Sequence, residues 1–113
     1  MRSRKEVEKY FAQYILNAPY TTEAAYKDDV MQLLRVAGAY VAREVDNPRS
    51  GVPDLLVCFK GRFIGIETKD DIGTASAVQK KHIKDIIKSG GKAAVCRTLA
   101  DVLDLLYMED ANE

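Results

Sequence analysis

The stretch from Gly51 to Lys69 constrains this chain more than any other. Leu55-Leu56-Val57-Cys58-Phe59 and Arg62-Phe63-Ile64-Gly65-Ile66-Glu67-Thr68-Lys69 are two strand-like runs separated only by Lys60-Gly61. So short a connection, with glycine second, predicts a tight hairpin and fixes the register of everything on either side. Phe59 pairs with Arg62, and the same register carried to the far end sets Asp54 opposite Glu67. Directly opposed residues hold their β-carbons about 4.5–5.5 Å apart on one face. Strand alternation adds Lys69 to that face, two positions beyond Glu67. A solvated strand end explains any one of these residues singly, but explains the three in one register poorly.

The remaining elements follow from periodicity. Residues 4–16 place Val7, Phe11, Tyr14 and Ile15 at helical spacing, and Asn17-Ala18-Pro19-Tyr20 breaks that helix. Thr21 or Thr22 caps a second helix with Tyr26, Val30, Leu33, Leu34 and Ala37 on one stripe, and Gly38 ends it. Residues 39–45 read as a strand and 46–51 as a loop. Ser76-Ala77-Val78-Gln79 has the form of a capping box and opens a helix that carries Ile83, Ile86 and Ile87 inward. Gly90-Gly91 closes it, residues 92–97 form a last strand, and Thr98 starts a final helix through Leu99, Val102, Leu105 and Leu106. The expected fold is a single α/β domain over residues 1–113, a mixed sheet flanked by helices in the order ααβββαβα.

Net charge is zero, which argues against a generic nucleic-acid binder. Its distribution is uneven, however. Residues 60–97 hold nine basic against four acidic side chains, and residues 98–113 hold five acidic and none basic. Lys80, Lys81, Lys84 and Lys88 share one expected helix, where a solvated face is the plain alternative to a binding surface. No apolar run nears the roughly 20 residues of a membrane span. The basic residues at positions 2, 4 and 5 have no apolar stretch behind them, so no secretory signal is expected and a cytoplasmic location is. Cys58 and Cys96 fall in apolar runs and read as two buried thiols. With one histidine and two separated cysteines, structural zinc has almost no support. His82 reads as a surface or partly buried helix residue. Tyr10, Tyr14, Tyr20, Tyr26 and Tyr40 suit base stacking, but are more simply core or interface residues.

Two close carboxylates repel unless a proton or cation lies between them, and a hard divalent ion such as Mg²⁺ takes oxygen ligands while keeping several waters. A neighbouring lysine offsets charge, orients an attacking water and stabilises charge developing on a phosphate. Asp54, Glu67 and Lys69 thus supply what metal-assisted phosphodiester hydrolysis requires. Gly51-Val52-Pro53-Asp54-Leu55-Leu56-Val57, then Gly61-Arg62-Phe63-Ile64-Gly65-Ile66-Glu67-Thr68-Lys69, then Ser76-Ala77-Val78-Gln79 resembles the PD-(D/E)XK nuclease superfamily. Within it, the chain is most similar to the virus-type replication-repair nuclease (VRR-NUC) domain, most strongly over residues 22–103.

The resemblance implies a restriction-endonuclease-like core. Asp54, Glu67, Lys69 and Gln79 would be catalytic, and Asp54, Glu67 and the main-chain carbonyl of Thr68 would hold Mg²⁺, with Mn²⁺ able to substitute. Gln79 also has a plain explanation in the capping box. The family pattern includes a glutamate on the preceding helix, for which Glu23, Asp28 and Asp29 compete. At about 100° per residue, Glu23 lies roughly 45° from the apolar stripe, Asp29 roughly 75° and Asp28 almost opposite. Glu23 is the expected fourth metal ligand, Asp29 the second choice, and Glu23 also has a plain reading as a first-turn glutamate favoured by the helix dipole. Arg49, Lys80, Lys81 and Lys84 are the expected DNA contacts. Thr68, Asp70 and Asp71 depart from the residues usual in the family.

The activity implied is that of a metal-dependent, structure-selective DNA endonuclease, with branched DNA such as Holliday junctions as substrate and a homodimer as the active form. Tyr10, Tyr14 and Tyr20 are the candidate dimer surface. The alternatives are a restriction or nicking nuclease with another substrate, or a non-catalytic DNA-binding or assembly module on the same fold.

Overall fold

The computed structural model describes residues 1–43 and 51–109. Among these residues, four strands make one sheet in the order β1-β2-β3-β4: β1 is Tyr40–Arg43, β2 Leu55–Phe59, β3 Arg62–Thr68 and β4 Lys92–Cys96. The first two pairings are antiparallel and β3–β4 is parallel. The hairpin register is the one expected, with Phe59 against Arg62 and Leu55 against Ile66. Lys60 and Gly61 both have positive φ, 53° and 75°, as a two-residue turn that follows the twist of its strands requires. β2 begins at Leu55, so Asp54 stands just before the ladder rather than within it.

Among the described residues, four α-helices surround the sheet: α1 (Arg4–Glu8), α2 (Glu23–Ala37), α3 (Ala77–Lys88) and α4 (Leu99–Tyr107). The expected order ααβββαβα holds, with a short 3₁₀ turn at Gln13–Ile15 added after α1. The expected single helix over 4–16 is therefore broken. Val7 and Leu16 are both buried in the core, yet nine residues of continuous helix would put them on opposite sides. The break lets both point inward, and Leu16 is then fixed by its carbonyl, which accepts from the Ala100 amide at 2.8 Å.

α2 behaves as its stripe predicts. Thr22 caps it, Gly38 ends it at φ 88°, and Tyr26, Val30, Leu33, Leu34 and Ala37 are fully buried. They pack with Leu55, Val57, Phe59, Ile64 and Ile66 from the sheet and with Leu99, Val102, Leu103 and Leu106 from α4. Among the described residues no helix is long and apolar enough to cross a membrane.

The other face of the sheet is more thinly covered. α3 packs against β3 and β4, with Ile83 and Ile86 half-buried. Ile87, expected to point inward, is exposed. Cys58 is exposed as well, whereas Cys96 is buried. Alternation along β2 turns Leu55, Val57 and Phe59 to the core and Cys58 outward, where it pairs with the exposed Tyr40. The expected strand over 39–45 is seen as Tyr40–Arg43, and the rest of that expectation lies outside the described residues.

Gly65 lets α3 and the Pro53 segment meet on the sheet. A β-carbon there would stand 2.9 Å from Ile86 Cδ1 and 3.0 Å from Pro53 Cγ. Overpacking of this kind costs about 1–3 kcal/mol. Gly65→Ala is expected to lower the unfolding free energy by that order, read as a lower urea midpoint at an unchanged denaturant slope. An unchanged midpoint would show that α3 is not seated on β3 as described.

Candidate functional site

Three pieces of backbone converge at the carboxyl end of β3. The segment entering β2 brings Asp54, β3 ends with Glu67 and Thr68 and is followed by Lys69, and the first turn of α2, with the residue just past it, brings Glu23 and Lys27. Tyr26 fixes that turn, because its ring is buried and its hydroxyl donates to the Thr98 carbonyl at 2.7 Å. Gly51, at φ 68°, lies so close to Val78 and His82 of α3 that no side chain fits there. The chain leading to Asp54 is thereby pressed against the helix that carries Gln79.

Asp54 is held from one side by Thr68. Its Oδ2 accepts from the Thr68 amide at 3.0 Å and from the Thr68 hydroxyl at 2.8 Å. Its Oδ1 lies 3.9 Å from Lys27 Nζ. Glu67 is 1% exposed, and its Oε2 accepts from Gln79 Nε2 at 2.9 Å and pairs with Lys69 Nζ at 3.4 Å. Gln79 does this while completing the capping box, its Oε1 accepting from the Ser76 amide at 2.8 Å. The plain and the functional readings of Gln79 therefore coexist, because its amide has both a donor and an acceptor.

Glu67 Oε1 is buried and has no hydrogen-bond partner. Burial first, and then the Asp54 charge, push the Glu67 carboxyl up to about 7, against the opposing pull of Lys69. An unpartnered buried carboxylate oxygen facing a second carboxylate is costly as it stands; a proton between the two relieves it below about pH 7, and a hard cation does so above. On this ground the residues fit a divalent ion. Among the described residues, no three Asp, Glu, His or Cys side chains gather into a metal-binding group. Mg²⁺ often uses only one or two carboxylates and retains waters, so the Asp54–Glu67 pair meets its needs.

The structure sorts the acids on α2. Glu23 is at the site's margin, its Oε1 3.4 Å from the Thr68 hydroxyl and 3.9 Å from Lys27 Nζ. Asp29 is engaged elsewhere, accepting from the Tyr20 hydroxyl at 2.5 Å, and Asp28 is exposed. Lys80, Lys81 and Lys84 lie on the exposed side of α3, with Lys81 paired to Asp85 at 3.0 Å. Arg49 lies outside the described residues. Asp70 and Asp71 serve the loop that follows. Asp70 Oδ1 accepts from the Ile72 and Gly73 amides, its carbonyl accepts from Arg97, and the Asp71 amide donates to the Tyr20 carbonyl. Lys27 joins the site although nothing in the sequence expectations pointed to it. The available signal was its i+4 spacing from Glu23, which puts both on one side of α2.

The sequence profile of the VRR-NUC domain matches residues 2–100. The chain belongs to the VRR-NUC family. Two solved structures support the same fold. A VRR-NUC domain superposes with a TM-score of 0.64 at 23% identity, covering 78% of this chain and 97% of that one. A VRR-NUC domain protein gives 0.62 at 20% identity, covering 80% and 91%. No curated protein matches the chain. The VRR-NUC match brings with it a nuclease-type, DNA-processing fold, and the converging carboxylates stand within the matched span.

Two outcomes follow from this electrostatic arrangement. Without metal, the folded chain holds the Glu67 proton up to about pH 7, whereas the unfolded chain releases it near 4.5. Glu67 therefore costs nothing below that window, and its penalty grows as pH rises through it. Thermal melts in chelator should show Tm falling from pH 5 to 7.5 more steeply in the wild type than in Glu67→Gln, and divalent cation should flatten the wild-type slope. Parallel slopes would mean that Glu67 is not strained. Thr68→Val keeps the shape of the side chain but leaves Asp54 with the amide alone, so it should cost about 1 kcal/mol of stability and weaken Mn²⁺ binding. Thr68→Ser should restore both; urea melts and calorimetry read the two effects.

Proposed function

We propose that this protein is a metal-dependent DNA endonuclease whose centre is Asp54, Glu67 and Lys69. The observation that carries the reading is the Glu67 carboxylate, buried beside Asp54 with one oxygen unpartnered. Asp54, Glu67 and the Thr68 main-chain carbonyl would hold Mg²⁺ or Mn²⁺. The ion, when bound, supplies Lewis-acid polarisation of a phosphate oxygen and acidification of water.

The chain's own groups do the rest. Gln79 and Lys69 both engage Glu67 Oε2, which leaves Oε1 as the oxygen facing the ion. Thr68 fixes the Asp54 carboxylate with two hydrogen bonds. Lys69, only 16% exposed, keeps its ammonium at the site through Glu67, where it orients water toward phosphorus and stabilises negative charge on the phosphate. The exposed lysines of α3 and Arg49 are proposed to track the phosphate backbone.

Branched DNA, such as a four-way junction, is the proposed substrate, and a homodimer the proposed active form, because paired cuts across a symmetric junction need two centres. Tyr10 and Tyr14 are exposed near α1 and suit such an interface, whereas Tyr20 is occupied by Asp29 and Tyr26.

Incubation with Mg²⁺ and a panel of linear, flapped, forked and four-way DNAs should give cleavage of the branched forms. Lys69→Ala should reduce that cleavage by about 10²–10³-fold with fold and DNA binding retained. Binding without cleavage of any DNA by the wild type would favour an assembly module on this fold. Cleavage by Lys69→Ala at the wild-type rate would remove the lysine from the mechanism.

A further inference from the structure

The geometry points to Ile72 as a residue that wedges into DNA at a branch, beside the catalytic centre, and gives the site its preference for branched over continuous duplex. The inference rests on the nuclease reading above. Single exposed apolar side chains are ordinary on a small domain. Ile72 differs in where it stands and how firmly it is held. It is 84% exposed, and it follows Lys69 by three residues, so its backbone lies within about 11 Å of that lysine's. The chain turns back at once, for a β-carbon at Gly73 would stand 3.4 Å from Lys69 Cδ and 3.1 Å from Asp70 Oδ1. Gly73 therefore rests on the stem of the lysine whose ammonium pairs with Glu67 at 3.4 Å.

Hydrogen bonds fix the loop from both sides. Asp70 Oδ1 accepts from the Ile72 amide at 3.2 Å and from the Gly73 amide at 2.7 Å. The Asp70 carbonyl accepts from Arg97 at 2.8 Å, and the Asp71 amide donates to the Tyr20 carbonyl at 3.0 Å. An ordered loop that holds an isoleucine out in water forgoes the stabilisation its burial would bring. Packing within the chain does not account for the residue, whereas a substrate does. Apolar side chains of this kind enter between base steps, unstack them and bend the duplex. The cost is least where stacking and pairing are already interrupted, as at a branch. Asp71, exposed beside Ile72, sharpens the choice. Its carboxylate is repelled by a duplex backbone that carries one negative charge per about 1.7 Å. At a branch the backbones diverge and leave base faces open to an apolar tip. A wedge this near Lys69 also places the cut a few nucleotides from the branch.

The test compares Ile72→Ser, Ile72→Leu and the wild type, all as full chains with Mg²⁺, on a four-way junction and on linear duplex of the same sequence. Ile72→Ser should melt with the wild type, since the side chain is exposed, yet cut the junction with kcat/KM lower by about tenfold. Its deficit should shrink to less than about threefold on a junction with mismatched pairs at the branch, where the unstacking is already done. Ile72→Leu, which keeps an apolar tip, should stay near the wild type. A fluorescent 2-aminopurine beside the branch reads the wedge directly. Its emission should rise when Lys69→Ala binds the junction, and stay low when Lys69→Ala with Ile72→Ser binds it. Wild-type junction cleavage by Ile72→Ser, an equal loss on linear duplex, a loss in Ile72→Leu as large as in Ile72→Ser, or an unchanged 2-aminopurine signal in the double variant would overturn the inference alone. A wild type that cuts no DNA would overturn the nuclease reading and this inference with it.

Discussion

Glu67 is a nearly fully buried carboxylate with another carboxylate beside it, and the arrangement at the end of β3 answers to that fact. Above about pH 7 without metal it becomes a buried charge with an unpartnered oxygen, among the most expensive features a small domain can carry. It persists because the surroundings fix it from several directions. Gln79 reaches it from the first turn of α3, Lys69 from the next position on its own face, and the hairpin register brings the segment ending in Asp54 alongside. A carboxylate held this way is ill-suited to its own fold and well suited to a cation, the usual relation between stability and a binding site.

The scaffold explains how so small a chain maintains such a feature. One face of the sheet meets α2 and α4 in a dense apolar core, and that core holds the first turn of α2 through Tyr26. Among the described residues, the other face is covered by α3, whose isoleucines are at most half-buried, and by the segment around Pro53. Glycine at 51 and 65 permits the close approach that joins α3, the Asp54 segment and β3 into one unit. The VRR-NUC match spans residues 2–100 and so takes in both the sheet and the helices packed on it.

Much of this was legible in the sequence because its signals are local. A two-residue turn sets a register, a helical stripe sets a buried face, and capping boxes mark helix starts. Those features located β2, β3, α2 and α3 and brought Asp54, Glu67, Lys69 and Gln79 into one neighbourhood. The misreadings have a common cause in tertiary demand. The first helix breaks because Val7 and Leu16 must both reach one core, which no local pattern reveals. Cys58 and Ile87 are exposed because α3 does not cover the whole outer face, and coverage depends on how elements assemble. Lys27 was missed because a lysine on an amphipathic helix reads as solvated until the sheet end beside it is known. Asp70 and Asp71 stood out as departures, and their use within the following loop appears only once that loop is closed by Arg97 and Tyr20.

The account stands on Asp54 and Glu67 acting as one cation site at the end of β3. Anomalous diffraction from crystals of the chain soaked in Mn²⁺ tests that most directly. The predicted result is a single strong peak between the Asp54 carboxylate and Glu67 Oε1, with Glu67 Oε2 still bonded to Gln79. A peak elsewhere in the molecule, or none while Lys69 and Lys27 keep both carboxylates, would contradict it.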